Sequence, residues 1–194
     1  MSAITSTQAK RRRRQSGFSL IEVMISMVVM TVGLVSLLGV FGLAMAATQS
    51  ADQNAIAKQL ANEALESILT ARETASIPWA SIQNTGAGGI FLSGAQPIYC
   101  PGVDGIIDTA DDAACGNQTL QQPGPDGIFG TADDVFLPLT NYQRTITIAE
   151  ATGPPPLSAP IPELNLVTIT VTYMNPGMKV PQNYTLTTYV SEYR

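Results

Sequence analysis

The chain carries no charged residue from Val23 to Ala47, a run of 25 mostly apolar positions. At about 1.5 Å per residue, a helix of that length measures roughly 37 Å, enough to cross a hydrocarbon core of about 30 Å. The basic residues Lys10 and Arg11 to Arg14 precede this run. Since basic flanks stay on the cytoplasmic side, the pattern predicts a membrane helix whose C-terminal continuation is exported.

The pattern becomes amphipathic after Thr48, where apolar residues recur at helical spacing among polar ones. We predict one helix from Phe18 to about Thr74, with a transmembrane half over 18–47 and an amphipathic half over 48–76. Pro78 prevents the helix from continuing. The stripe expected to be covered by the rest of the chain consists of Ala51, Ala55, Ile56, Leu60, Ala64, Leu65, Ile68 and Leu69.

The C-terminal third alternates between polar and β-branched or aromatic residues, which is typical of half-buried strands. This alternation predicts strands over 142–150, 164–174 and 184–193, while 84–100 is predicted to be a loop with one weak strand. The connection 153–162 holds five prolines and is expected to be irregular, and Asn175-Pro176-Gly177 to mark a turn. We therefore predict an α+β fold, in which a small antiparallel head over 77–194 packs on the amphipathic stripe.

The charges are distributed unevenly. The chain has 10 basic and 15 acidic residues, but five of the basic ones precede Gly17 and all the acidic ones follow it, so the remainder carries a net charge of −10. Without a basic patch, nucleic acid is not an expected partner. The chain contains no histidine, which excludes Ser-His-Asp, Cys-His and histidine-based metal sites. No enzymatic function is expected, because no other catalytic constellation is visible.

Cys100 and Cys115, the two cysteines, both lie in the part predicted to be exported. An oxidising compartment favours a disulfide between them. The alternative is that the two cysteines are free thiols or bind a metal as a pair. The absence of histidine and of C-x-x-C spacing argues against this alternative.

One segment is repeated: residues 102–112 recur as 124–134, with the pattern D-G-x-x-[DG]-T-x-D-D. It differs from the EF-hand loop and is similar to DG-x-x-GT-x-DD loops of bacterial exported proteins. Carboxylates crowded into a turn repel one another unless a cation such as Ca²⁺ neutralises them. No cofactor is required by the sequence, but calcium is a possible ligand; the alternative is a pair of solvated Asp/Gly turns. Candidate ligands are Asp104, Asp108, Asp111, Asp112, Asp126, Asp133 and Asp134.

The segment from Gly17 through Phe18 to Glu22 and Val23 resembles the class III signal of type IV prepilins and pseudopilins. The resemblance implies that prepilin peptidase removes residues 1–17 by cutting between Gly17 and Phe18, and that Phe18 is then N-methylated. It also implies two further partners. These are other pilin subunits, which bind through the N-terminal helix, and the inner-membrane pilus assembly machinery. The amino-acid sequence at 21–24 and 31–34 most resembles that of PilV-type minor pilins.

Glu22 is an ionisable residue near the start of a membrane helix, and such residues are by default functional. We expect it to pair with the amino group that cleavage creates at Phe18, on its own chain or on a neighbour. The alternative is a carboxylate that merely favours the helix dipole at the headgroup level.

The leading hypothesis is a minor pilin, located in the bacterial inner membrane as a single N-in/C-out span and then in a pilus at the cell surface. The alternatives are a type II secretion pseudopilin, which would assemble in the periplasm, and a membrane-anchored calcium-binding adhesion module that does not polymerise. An ordinary secretory signal cleaved at Ala44-Met45-Ala46 fits poorly, because its apolar core spans only about 7–15 residues.

Overall fold

The computed structural model describes residues 17–153, 158–175 and 180–193. The chain divides between Ala47 and Thr48 into two compact units. The basic leader predicted over 1–17 lies outside the described residues apart from Gly17. So do residues 154–157 of the predicted proline-rich connection and Pro176 and Gly177 of the predicted turn.

Helix α1 spans Leu20–Glu73, close to the predicted limits of Phe18 and Thr74. It is long and apolar enough to cross a membrane. Every described side chain up to Ala47 is exposed, so this unit has no core of its own.

Within its described residues, the second unit contains one more α-helix, two short 3-10 helices and six strands. The 3-10 helices are Trp79–Ser81 and Thr85–Ala87. In chain order the remaining elements are β1 (Gln96–Pro97), α2 (Asp112–Cys115), β2 (Thr119–Gln122), β3 (Val135–Pro138), β4 (Tyr142–Thr152), β5 (Pro160–Tyr173) and β6 (Gln182–Ser191).

Strands β1, β4, β5 and β6 form an antiparallel sheet in the order β1-β4-β5-β6. The predicted antiparallel meander is therefore confirmed. The prediction that 153–162 is irregular was wrong at its end, because Pro160, Ile161 and Pro162 belong to β5. A register shift between Glu150 and Ala151 allows this: it adds the pairs Ala151–Ile161 and Thr152–Pro160 to the ladder.

The core lies between α1 and one face of the sheet, as the fold class predicted. Six α1 side chains are buried, four of them alanines, and small side chains let the sheet approach the helix backbone closely. The buried α1 residues are Ala57, Leu60, Ala61, Ala64, Ile68 and Ala71, and the sheet contributes Ile146, Ile148, Val167, Ile169 and Val171.

The predicted stripe was wrong at its N-terminal end. Ala51 and Ala55 are exposed, whereas Ala57 is fully buried. Residues three and four positions after Ala55 are Lys58 and Gln59, so Ala55 shares the polar row of the helix rather than the row that faces the sheet.

Strands β2 and β3 form a separate two-stranded sheet that the sequence pattern did not predict. Each has only four residues, too few to show a period of two. Their pairing places Gln122 opposite Val135, so the second copy of the repeat forms the loop of this hairpin.

Candidate functional site

The first candidate site is the start of α1. Gly17 and Phe18 precede the helix and are exposed, so the peptide bond between them is not enclosed in helical structure. The carbonyl of Ser19 accepts hydrogen bonds from the backbone N–H of Glu22 at 3.0 Å and of Val23 at 3.3 Å, which starts the first turn. The structure therefore places the predicted cleavage position one turn before Glu22.

Glu22 is the acidic residue of the first turn of α1 and is surrounded by apolar side chains. It lines a shallow groove of about 260 Å³ with Phe18, Val23, Ser26, Met27 and Met30. The Ser26 hydroxyl donates to the Glu22 carbonyl at 2.7 Å, not to its carboxylate. Within residues 17–153, 158–175 and 180–193, no group donates a hydrogen bond or forms an ion pair with that carboxylate. In an apolar medium an ionised carboxylate without a partner is costly, so a cation beside it would be stabilising.

The second candidate site is the repeat, whose two copies are both held between antiparallel segments. The first copy, 102–112, lies between Tyr99 and Asn117, which form an antiparallel bridge. The predicted disulfide between Cys100 and Cys115 closes the same segment, with 5.7 Å between the two Cα atoms. The second copy is closed by the pairing of β2 with β3, and Gln121 of β2 also donates a hydrogen bond to the Asp134 carboxylate.

In the first copy, backbone N–H groups and a hydroxyl surround the carboxylates. Asp104 Oδ1 accepts the Ile106 N–H at 2.9 Å. Asp111 Oδ1 accepts the Thr109 hydroxyl at 2.7 Å. Asp112 accepts the N–H of Gly102 at 2.8 Å and of Thr109 at 3.2 Å. These donors supply part of the neutralisation for which the sequence suggested a cation.

The second copy repeats this arrangement atom for atom at two of its carboxylates. Asp126 Oδ1 accepts the Ile128 N–H at 2.9 Å, and Asp133 Oδ1 accepts the Thr131 hydroxyl at 2.6 Å. The left-handed glycines also correspond, with φ of 71° and 70° at the second repeat glycine. These glycines are Gly105 and Gly127.

The structure separates Asp108 from the other candidate ligands of the first copy. Its carboxylate forms a bidentate pair with Arg144, at 2.9 Å to Nε and 3.0 Å to Nη2. Arg144 Nη1 also donates to the carbonyl of Leu60 at 3.2 Å, so the pair joins the loop, β4 and α1. Both side chains are buried, at 0% and 3% exposure, and Asp108 adopts a left-handed φ of 58°.

Arg144 was missed by the sequence reasoning, although a signal for it exists. In β4 the buried positions alternate, and Arg144 occupies the inward position between Tyr142 and Ile146. A charged residue at an inward strand position indicates a buried partner of opposite charge, because an unpaired charge is not tolerated there.

Three carboxylates of the first copy could hold a metal ion: those of Asp104, Asp111 and Asp112 each offer one oxygen, and these oxygens lie within 4.8 Å of one another. Asp126, Asp133 and Asp134 are not brought together in this way in the described structure. The Thr109 hydroxyl lowers the pKa of Asp111, and burial raises the pKa of Asp112. In the second copy, the Thr131 hydroxyl lowers the pKa of Asp133.

Comparison with protein families matches residues 12–38 to the prokaryotic N-terminal methylation motif. No curated protein and no solved structure matches the chain significantly. The motif, the long apolar helix and the antiparallel head support a protein similar to type IV pilins and pseudopilins, anchored in a membrane before assembly. The motif also implies processing by prepilin peptidase and use of the corresponding assembly machinery.

Proposed function

We propose that this chain is a minor pilin, a structural subunit that joins a type IV pilus through α1 after removal of residues 1–17. The observation that carries the proposal is the Glu22 carboxylate, which has no partner among the described residues and lies among exposed apolar side chains within the matched motif. The proposal assigns the chain no enzymatic activity, in keeping with the structural role of pilin-like proteins.

The mechanism is an exchange of charge partners. Cutting between Gly17 and Phe18 creates a positive amino group, which N-methylation leaves positive. That group pairs with Glu22 of its own chain or of a neighbouring subunit, which removes the cost of an unpaired carboxylate in an apolar medium. The uncut precursor lacks this amino group, so processing acts as the switch for assembly. The exposed apolar side chains of 18–47 then pack among the helices of other subunits.

The pseudopilin of a type II secretion system is the alternative with the same anchor and the same processing. Sheared surface filaments separate the two, because only a pilus subunit would be recovered in them. A membrane-anchored adhesion module that does not polymerise would keep the anchor but gain nothing from Glu22.

The test is Glu22→Ala, with Ser26→Ala as a matched control one turn further along the same exposed segment. We expect the Glu22→Ala chain to insert into the membrane but to incorporate poorly into filaments, while Ser26→Ala incorporates normally. Normal incorporation of Glu22→Ala would refute the assembly role of the carboxylate.

A second proposal is that the first copy of the repeat binds calcium through Asp104, Asp111 and Asp112. The observation that favours it is the approach of three carboxylate oxygens to within 4.8 Å, since Ca²⁺ accepts such oxygens together with carbonyls and water. Asp108 has no part in this proposal, because both its oxygens bind Arg144.

Limited proteolysis of the full chain, with Ca²⁺ or with a chelator, tests the calcium site. Chelation should expose the first copy, 102–112, to cleavage and leave the strands of the large sheet protected. Asp104→Asn should remove the difference between the two conditions, and the matched variant Asp126→Asn in the second copy should retain it. Identical cleavage patterns with and without chelator would refute the site.

A further inference from the structure

Strand β6 ends the large sheet, so it has a neighbouring strand, β5, on one side only. Just beyond β6, the Glu192 N–H donates to the Glu163 carbonyl at 2.9 Å, which directs the backbone groups of residue 192 towards the β5 side. Because these groups alternate in direction along an antiparallel strand, those of the odd-numbered residues of β6 point away from β5. We call this side the open edge, and its residues are Asn183, Thr185, Thr187, Tyr189 and Ser191.

The open edge lacks the features that usually prevent a further strand from adding to a sheet. From Gln182 to Val190 it contains no charged residue, no proline and no register shift, although the chain has 15 acidic residues. Among the described residues, no hydrogen bond reaches the N–H or C=O groups of the odd-numbered residues 183–189. A long, uncharged edge with unpaired backbone groups is a template for strand addition.

Strand β6 of a second copy of the chain fits the open edge in an antiparallel register. In this register Leu186 lies opposite Leu186 of the second copy, on a two-fold axis. Asn183 then lies opposite Tyr189 of the second copy, and Thr185 opposite Thr187. The odd-numbered residues of both strands face each other, so their free N–H and C=O groups pair.

The two ends of the open edge select this register. The Ser191 carbonyl already accepts a hydrogen bond from Arg72 Nη1 at 3.1 Å. In the register described, it lies opposite Pro181 of the second copy, which has no N–H to donate. A shift of two positions one way would direct the Asn183 N–H at this occupied carbonyl. The opposite shift would place Tyr189 opposite Pro181 and leave the Tyr189 carbonyl without a donor.

The side chains of the paired strands also match. Thr185 would lie opposite Thr187 of the second copy, and cross-strand threonine pairs are favourable. Such a pair already exists within the sheet, where the hydroxyl oxygens of Thr170 and Thr185 are 3.3 Å apart. On the other face, the partly buried Leu186 would gain its own equivalent as an apolar neighbour. No charged residue lies on either paired strand, so two acidic chains meet there without like charges opposite each other.

We infer that β6 pairs with β6 of a second copy of this chain, so that the two large sheets become continuous across a two-fold axis perpendicular to them. The amphipathic half of α1 lies against the sheet, so this axis reverses its direction from one copy to the other. The pair therefore joins two copies that face each other in opposite directions, not neighbours with the same direction in one filament. It concerns the second structural unit alone and does not require that the chain polymerises.

The experiment uses two variants of the full chain, Asn183→Cys and Tyr189→Cys, each of which keeps its own disulfide. Pairing places position 183 of one copy opposite position 189 of the other, at a Cα–Cα distance of about 5.5 Å, within reach of a disulfide. Two copies of the same variant hold their introduced thiols roughly 20 Å apart, because six residues at about 3.4 Å each separate the positions. After mild oxidation in detergent, an equimolar mixture should give several-fold more linked dimer than either variant alone.

The substitution Thr187→Pro, added to both variants, tests whether backbone pairing forms the dimer. The N–H that it removes points to the open edge and not to β5, so the ladder within the sheet is kept while an added strand loses a donor. The yield of linked dimer should fall several-fold. The matched control Thr187→Val keeps the N–H and should leave the yield unchanged, and hydrogen exchange over β5 checks that the sheet is intact.

Equal yields from the mixture and from the separate variants would overturn the inference. So would a yield that Thr187→Pro leaves unchanged while β5 stays protected. A chain that enters filaments but gives no linked dimer would refute this inference and leave the proposed pilin function intact. A chain that gives the linked dimer but never enters filaments would do the reverse.

Discussion

Residues 102–112 and 124–134 adopt the same loop with the same Asp-Gly bend and the same Asp–Thr contact, yet the molecule uses them differently. The first is closed by a disulfide and packed into the core, with Ile107 1% exposed. The second protrudes on a hairpin with its corresponding Phe129 64% exposed. The residues that the two copies share therefore specify the loop conformation, and burial depends on contacts that only the first copy makes.

The position that differs most in chemistry is Asp108 in the first copy and Gly130 in the second. Both have a left-handed φ, of 58° and 87°, so the backbone is alike and only the carboxylate is added. That carboxylate meets Arg144, which lies outside the repeat on β4. This carboxylate is therefore one of the contacts that join the first loop to the core and that the second loop lacks.

Exchanging these two residues should have the largest effect. Asp108→Gly leaves the buried Arg144 charge without its partner, which we expect to lower the free energy of unfolding by about 3–5 kcal/mol. Gly130→Asp, the reciprocal change, should cost only about 1–2 kcal/mol for the left-handed backbone, since a Cβ there meets no atom within 4 Å. Chemical denaturation of the full chain in detergent measures both.

The control for this exchange is the double variant Asp108→Gly/Arg144→Leu. Removing both charges should recover much of the lost stability, because the penalty comes from the unpaired guanidinium. Equal losses in the Asp108→Gly and Gly130→Asp variants would contradict the distinction drawn between the copies.

Removing the disulfide should have the next largest effect, and only on the first copy. The two cysteines have a sequence separation of 15, so replacing both by serine should lower the free energy of unfolding by about 3 kcal/mol in the chain-entropy model. Hydrogen exchange should show lost protection over 100–115 and unchanged protection over 124–134. A comparable loss in the second copy would mean that the two loops are coupled.

Lowering the pH should change the stability of the two copies differently, by less than loss of the disulfide does. The pKa of Asp133 is lowered by the Thr131 hydroxyl, so its contribution to stability is present above its ordinary value near 3.8 and is lost as the pH falls through the folded-state pKa. Asp111 has the same sign, through Thr109. Asp112 has the opposite sign, because burial raises its pKa and protonation then favours the folded state.

The second copy should therefore loosen more than the first as the pH falls from 5 to 3. Hydrogen exchange, normalised for the pH dependence of intrinsic rates, measures this over 102–112 and 124–134. Thr131→Val removes the hydroxyl donor and should reduce the acid response of the second copy. Greater loosening of the first copy would contradict the signs given above.

The sequence was sufficient for elements whose period repeats many times. The long apolar run extends over several helical turns, and the alternation over 142–150 repeats over several residue pairs. Accordingly, α1 and β4 lie where they were predicted. Short elements such as β2 and β3 were missed because four residues show no period. The limits of β5 were missed because its first residues pair only through a register shift.

The fate of the candidate ligands depended on contacts distant in sequence. Asp104, Asp111 and Asp112 come together in the first loop, whereas Asp126, Asp133 and Asp134, which have the same spacing, are not brought together in this way in the described structure. Asp108 lies in the same loop, but its carboxylate pairs with Arg144, which is 36 residues further along the chain. No local sequence pattern specifies such a distant partner. The inward position of Arg144 in β4 predicts an acidic partner, but it does not predict which acidic residue that partner is.

The central claim is that a cut between Gly17 and Phe18 creates the cation that Glu22 needs. Mass spectrometry of the amino terminus of the chain isolated from cells tests it most directly. The account predicts a chain that begins with N-methylated Phe18. A chain that keeps its arginine-rich leader, or one cut near Ala46, would contradict it.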